Sequence, residues 1–196
     1  DTPVFSTYTE KLAGIKKRMK FRIRVYNQPE PDSPAFIEIK RKDTDFVSKD
    51  RALIPVKNIP RFLKTANLEL LHSTPETKKQ NETSAVNFLY YYNLLHLRPT
   101  VQVNYYREAY FCGLHSGMRI TLDKYLATGQ TSHESVFLPG NKLTPSLPGY
   151  FILEVKFLNS LPGWLGRVLA KYGVMRKAAS KYAMGVEHVN STILNY

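Results

Sequence analysis

The sequence predicts an α+β protein, built on an antiparallel sheet or barrel with helices packed outside. Three observations predict it. Strand-like alternation recurs along the chain, strand candidates outnumber helical ones, and they come mainly as neighbouring pairs. There is no internal repeat and no low-complexity tract.

The first strand candidate is KFRIRVY (20–26). Phe21, Ile23 and Val25 point one way, and Lys20, Arg22, Arg24 and Tyr26 the other. The three cations then stand in a row, roughly 7 Å apart. Like charges side by side repel, so a strand does not gain stability this way. FIEIKRK (36–42) follows after the Pro-rich QPEPDSP, and the two runs read as a hairpin with a loose loop. VSKDRAL (47–53) is a third candidate, with Lys49 and Arg51 on one side.

Residues 58–71 and 84–97 have the apolar spacing and length of helices. VQVNYYREAYF (101–111) returns to strand, favoured by its Val, Tyr and Phe content. GMRITLD (117–123) pairs with it after a short Gly-containing turn. Residues 127–149 read as one long loop, and loops of that length are usually functional or mobile. YFILEVKF (150–157) is the last strong strand. A helix over 160–173 takes Ser160 as N-cap, Pro162 in its first turn and Gly173 as C-cap. A final short helix runs through SKYAMGVEHV (180–189).

Hydrophobic residues make up 43% of the 196, enough for a real core and too many for a disordered chain. Lys and Arg number 28 against 16 Asp and Glu, a net charge of +12. An excess of that size implies polyanionic partners: nucleic acid, phosphorylated metabolites or an anionic membrane surface. Cys112 is the only cysteine, which excludes an intrachain disulfide and a thiolate metal site and fits a reducing, cytoplasmic compartment. No apolar run reaches the ~18–20 residues of a spanning helix, and no signal-peptide pattern opens the chain. The chain starts at Asp1 rather than Met, and DTP reads as the end of an element, so a longer parent protein is expected.

Each strong strand carries charge on one face. Glu38, Lys40 and Lys42 oppose Ile37 and Ile39; Arg119, Thr121 and Asp123 oppose Met118, Ile120 and Leu122; Ile152, Glu154 and Lys156 oppose Leu153, Val155 and Phe157. Arg107 shares a face with Val101, Val103, Tyr105 and Ala109. One reading is a sheet with a solvated side. The other is a barrel with its charged faces inward, where an anion must neutralise the arginines. Arginine suits that role, because its fork matches phosphate oxygens bidentately. Glu154 and Glu38 are the inward acids, open either to Mg²⁺ or Mn²⁺ or to simple ion pairs.

The order KFRIRVY, FIEIKRK, YYREAY, MRITLD, ILEVKF, SKYAMGVE resembles the VTC domain, the polyphosphate polymerase domain of the vacuolar transporter chaperone complex and its bacterial relatives. That family belongs to the triphosphate tunnel metalloenzymes. The resemblance covers nearly the whole chain, as a single domain over 1–196, of bacterial type and without the family's first, ExExK-bearing strand. It implies an eight-stranded antiparallel tunnel that binds ATP, triphosphate or polyphosphate with Mn²⁺ or Mg²⁺. On the matching positions it implies phosphate contacts by Arg22, Arg24, Lys40, Lys49, Arg107, Arg119, Lys156, Ser180 and Lys181. Of these, Arg22, Arg24, Arg107, Arg119 and Lys181 would carry catalysis, and Glu154 would bind the metal. Lys20 is expected to be no more than a rim charge.

The implied reaction moves the γ-phosphate of ATP onto a polyphosphate chain, by positioning and charge stabilisation and without a side-chain nucleophile. A triphosphatase using the same tunnel ranks second. A non-enzymatic polyphosphate- or nucleic-acid-binding module ranks third, since the tyrosines at 90–92 read as helix packing rather than a stacking platform. His72, His96, His115, His133 and His188 show no ligand spacing or triad order and are expected to be surface or helix residues.

Overall fold

The alternating runs form strands and the 3.6-periodic runs form helices, in a computed structural model that describes residues 1–44, 46–113, 117–131 and 142–194. The chain divides into two compact units, one of 1–100 with 131–141 and one of 101–130 with 142–196.

In the first unit a short helix α1 (Ser6–Leu12) precedes three antiparallel strands, β1 (Arg18–Arg24), β2 (Pro34–Asp43) and β3 (Phe46–Pro55), in the order β1-β2-β3. Their registers place Phe21 opposite Ile39, Ile23 opposite Ile37, and Ile37 opposite Ala52. That apolar face is covered by α2 (Ile59–Thr65) and α3 (Lys78–Leu94). Ile37, Ile39, Ile54 and Phe62 are fully buried there, each contributing about 1.5–3 kcal/mol. The buried residues of α3 are Asn81, Ser84, Ala85, Phe88 and Leu89, the i, i+3, i+4, i+7, i+8 stripe of a core-facing helix. Asn81 fastens it to the sheet: its Oδ1 accepts from Leu53 N–H at 2.6 Å, and its Nδ2 donates to the Leu53 and His72 carbonyls and to Ser73 Oγ.

Two helical expectations change here. The helix expected over 58–71 breaks after Thr65, because Ala66 turns left-handed at φ 55° and Asn67 caps a separate 3₁₀ turn by accepting from Glu69 N–H. The helix expected from 84 begins at Lys78, since the polar KKQNET start carries little apolar periodicity. Tyr91 and Tyr92 pack against the core as expected, whereas Tyr90 is 60% exposed.

The second unit is a four-stranded antiparallel sheet: β4 (Val101–Phe111), β5 (Arg119–Gln130), β6 (Thr144–Pro145) and β7 (Ile152–Lys156). β5 is central, paired with β4 on one side and with β6 and β7 on the other. It runs on into the segment expected as loop. Gly129 permits this, since a Cβ there would lie 2.6 Å from the Lys142 carbonyl oxygen. Residues 132–141 of that expected loop, with His115 and His133, lie outside the described residues.

Asn104 stands opposite Ala127 and Tyr106 opposite Lys124, so Tyr125 and Leu126 together face Tyr105. This is a bulge on β5, with Tyr125 at φ 54°. The extra residue lets β4 keep its alternation, and Val101, Val103, Tyr105 and Arg107 remain on one face.

Helix α4 (Gly163–Lys171) starts later than expected, at Pro162 rather than Ser160, and is followed by Gly173 at φ 63°. α5 (Lys181–Leu194) outruns the expected helix and crosses the β4–β5 face close enough that a Cβ on Gly185 would lie 2.7 Å from Val101. Thr144 Oγ1 meets His188 Nε2 at 2.8 Å and ties β6 to α5. Among the described residues the strands form two open antiparallel sheets and no closed barrel.

Candidate functional site

In the first unit the charged face inferred from alternation lies opposite the core; in the second it is the β4–β5 face, one end of which α5 covers. In the first unit the register stacks the charges in rows. Lys20, Lys40 and Lys49 stand side by side across the three strands, and the next row is Arg22, Glu38 and Arg51. Arg24 follows on β1. Of these six cations, Arg22, Arg24, Lys49 and Arg51 lie within 4.0 Å of the one carboxylate among them.

Glu38 is only 1% exposed, covered by those long side chains. Its Oε1 accepts from Arg51 Nε at 2.7 Å and pairs with Lys49 Nζ at 2.9 Å. Its Oε2 takes a hydrogen bond from Arg22 Nε, and Arg24 Nε lies 4.0 Å away. Burial pushes the carboxyl up, but Lys49, Arg22 and Arg51 outweigh it and hold the group at about 2. Glu38 is therefore a fixed anion that orients cations.

Lys20 stands on the edge strand at the end of the cation row, half-buried, and forms no ion pair with any described carboxylate. Burial lowers its ammonium to about 8, helped by Arg18, Lys11, Lys40 and Arg22. An anion laid along this row would remove the repulsion, whereas a solvated face has no need for one.

In the second unit the charged half of the face centres on Asp123, which is 0% exposed. Arg107, opposite it on β4, grips both oxygens: Nε donates to Oδ1 at 2.5 Å and Nη2 to Oδ2 at 2.7 Å. Lys181, the first residue of α5, reaches Oδ2 at 2.5 Å. Both cations also lie over the Tyr105 ring, at 5.3 and 4.9 Å. Burial raises the Asp123 carboxyl, and the bonds from Arg107 and Lys181 more than reverse this, leaving it below the ordinary aspartate value. The Arg107 guanidinium is correspondingly raised.

Glu154 on β7 lies 3.5 Å from Arg107 Nη2 and 3.4 Å from Lys156 Nζ, and its side chain is 39% exposed. Arg119 stands opposite Lys156, with its guanidinium over the Phe111 ring at 5.3 Å. Ser180 is buried at the start of α5, where its hydroxyl accepts from Ala183 N–H at 3.4 Å.

The first unit thus holds Arg22, Arg24, Lys40 and Lys49, and the second holds Arg107, Arg119, Lys156, Ser180, Lys181 and Glu154. Sequence reasoning missed two anchors, Arg51 and Asp123. Both stand in step with residues it selected, Arg51 two after Lys49 and Asp123 four after Arg119.

Among the described residues no three His, Cys, Asp or Glu side chains gather as a metal cage. A divalent ion fits at Glu154 in one manner only. This half-exposed carboxylate, held by long contacts, can share a hard cation with phosphate oxygens and water. Asp123 cannot, since Arg107 and Lys181 already occupy its oxygens.

A family model described as the VTC domain matches residues 1–190. No curated protein matches the chain.

Proposed function

The chain belongs to the VTC domain family, and from that premise we propose that it is a polyphosphate polymerase-like phosphotransferase, moving the γ-phosphate of ATP onto a polyphosphate chain. Membership carries a polyphosphate-related function; the reaction, the metal and an arginine- and lysine-lined tunnel belong to this proposal. The observation that supports it best is the Lys20–Lys40–Lys49 row beside Arg22 and Arg51. A run of like charges costs the free fold and is offset by a ligand carrying repeated negative charge, which polyphosphate does.

Arg22, Arg24, Lys40 and Lys49 bind phosphate oxygens on the first face, and Arg107, Arg119, Lys156, Ser180 and Lys181 do so on the second. Arg22, Arg24, Arg107, Arg119 and Lys181 stabilise the charge that develops as the γ-phosphoryl group passes in line between oxygens. The terminal polyphosphate oxygen is itself the nucleophile, so no side chain needs to attack. Glu154 would hold Mn²⁺ or Mg²⁺, and the ion would supply charge neutralisation for the bound phosphates.

Incubation of the protein with ATP and Mn²⁺, followed by sizing of products on a gel, tests this reading. A phosphate ladder is expected. Free phosphate alone would make the protein a triphosphatase, and unchanged ATP would leave a binding module.

A further inference from the structure

Three buried polar side-chain atoms have no hydrogen-bond partner among the described residues: Arg119 Nε, Thr121 Oγ1 and Thr128 Oγ1. Thr128 lies under α5, where a Cβ on Gly185 would come within 3.1 Å of its methyl group. It is hemmed in by Val101 and the helix, with no room for a ligand.

Thr121 is different. It is 4% exposed and sits between Arg119 and Asp123 on the charged side of β5. Its cross-strand neighbours are Ala109 on β4 and Glu154 on β7. Ala109 offers no side-chain partner, and the Glu154 carboxylate is turned to Arg107 and Lys156. Two residues away, Arg119 forms no ion pair among the described residues although it lies in a unit with two nearby carboxylates. A buried hydroxyl and a buried guanidinium N–H left unsatisfied on one face both cost stability. Both are hydrogen-bond donors, and their spacing along the strand is roughly 7 Å between Cα atoms, which one tetrahedral oxyanion with a long arginine can bridge.

We infer that Thr121 and Arg119 form one phosphate subsite, in which Thr121 Oγ1 and Arg119 Nε each donate to oxygens of the same phosphate group. Thr121 is then a ligand-contacting residue. This rests on the polyphosphate reading above.

Tripolyphosphate titration by calorimetry at fixed salt, with thermal melts of the free proteins, tests it on wild type, Thr121→Val, Thr121→Ser and Arg119→Ala. Valine keeps the shape and removes the hydroxyl. Thr121→Val is expected to melt no lower than wild type, because nothing in the free protein uses the hydroxyl, and to bind about tenfold or more weakly. Thr121→Ser should keep wild-type affinity. A Thr121→Val protein that binds as wild type, or that melts lower because the hydroxyl has a partner in the free protein, overturns the subsite. If Arg119→Ala weakens binding and Thr121→Val does not, the subsite fails alone. No binding by wild type at all would sink the polyphosphate reading and the subsite together.

Discussion

Replacing Glu38 by glutamine keeps the side-chain shape and removes the one negative charge beneath Arg22, Arg24, Lys49 and Arg51. A carboxyl held at about 2 in the fold and at 4.5 without it contributes about 3 kcal/mol at neutral pH. Its four cations are roughly a fifth to nearly half exposed, so solvent screening trims that to about 2 kcal/mol. For a chain of this length the loss lowers the melting temperature by about 4–8 °C. The sign with pH is fixed. The depressed carboxyl stabilises the fold above pH 4.5, and that contribution disappears as pH falls through 2. Thermal melts of wild type and Glu38→Gln should therefore differ at pH 7 and converge in acid. Tripolyphosphate should bind Glu38→Gln as tightly as wild type or more so, with or without Mn²⁺, and should restore much of the lost stability. Equal melting temperatures at pH 7 would refute the anchoring role. Binding that weakens only when Mn²⁺ is present would show that Glu38 is a metal ligand instead.

Lys20, lowered to about 8, should make affinity fall with pH. Wild type is expected to bind tripolyphosphate about tenfold tighter than Lys20→Gln below pH 7, with the gap closing above pH 9; a gap constant from pH 6 to 10 would refute this. In the free protein the same lowered value acts the other way: stability rises as pH climbs from 8 to 10.5, because the unfolded chain then binds the extra proton. Asp123→Asn strips the buried partner from Arg107 and Lys181 and should cost about 3 kcal/mol by denaturant titration, an effect that wild type reproduces on acidification below the ordinary aspartate range. Glu154→Gln touches only a half-exposed side chain with long contacts, so stability should change by less than about 1 kcal/mol while Mn²⁺-dependent turnover is lost; full turnover would remove its metal role.

The parts legible in the sequence are those ruled by period. KFRIRVY and FIEIKRK show their two faces because alternation is strict, and β1 and β2 pair as the hairpin they suggest. The Phe88–Leu89 stripe announces the buried side of α3. The charged faces were equally legible, and their parity already placed Arg51 and Asp123 beside the chosen arginines. What hid Asp123 was chemistry rather than pattern: an acid on a basic face reads as a metal ligand or a chance salt bridge until its burial is known. Other features carry no periodic signal. Ala66 in a left-handed turn, the Tyr125 bulge and the run of β5 through Gly129 are set by tertiary contacts.

The two faces use their acids in different ways, and the difference bears on which arginines meet the ligand first. Arg22 and Arg51 bind Glu38 through Nε, which leaves their terminal nitrogens without a hydrogen-bond partner among the described residues. They can take a phosphate while keeping their anchor, so the anion adds to an interaction already made. Arg107 spends the Nε–Nη2 edge of its guanidinium on Asp123 and reaches Glu154 with the same Nη2. A phosphate at that edge would have to share or displace a carboxylate, and leaving Asp123 buried with Lys181 alone is costly. Arg119 lies at the other extreme, with no carboxylate partner among the described residues. On the proposed reading the first face, where cations far outnumber Glu38, would supply long-range attraction that salt screens. In the second unit, on the proposed reading, Arg119 would take a phosphate with no carboxylate to displace, whereas Arg107 would meet it with Asp123 still bound.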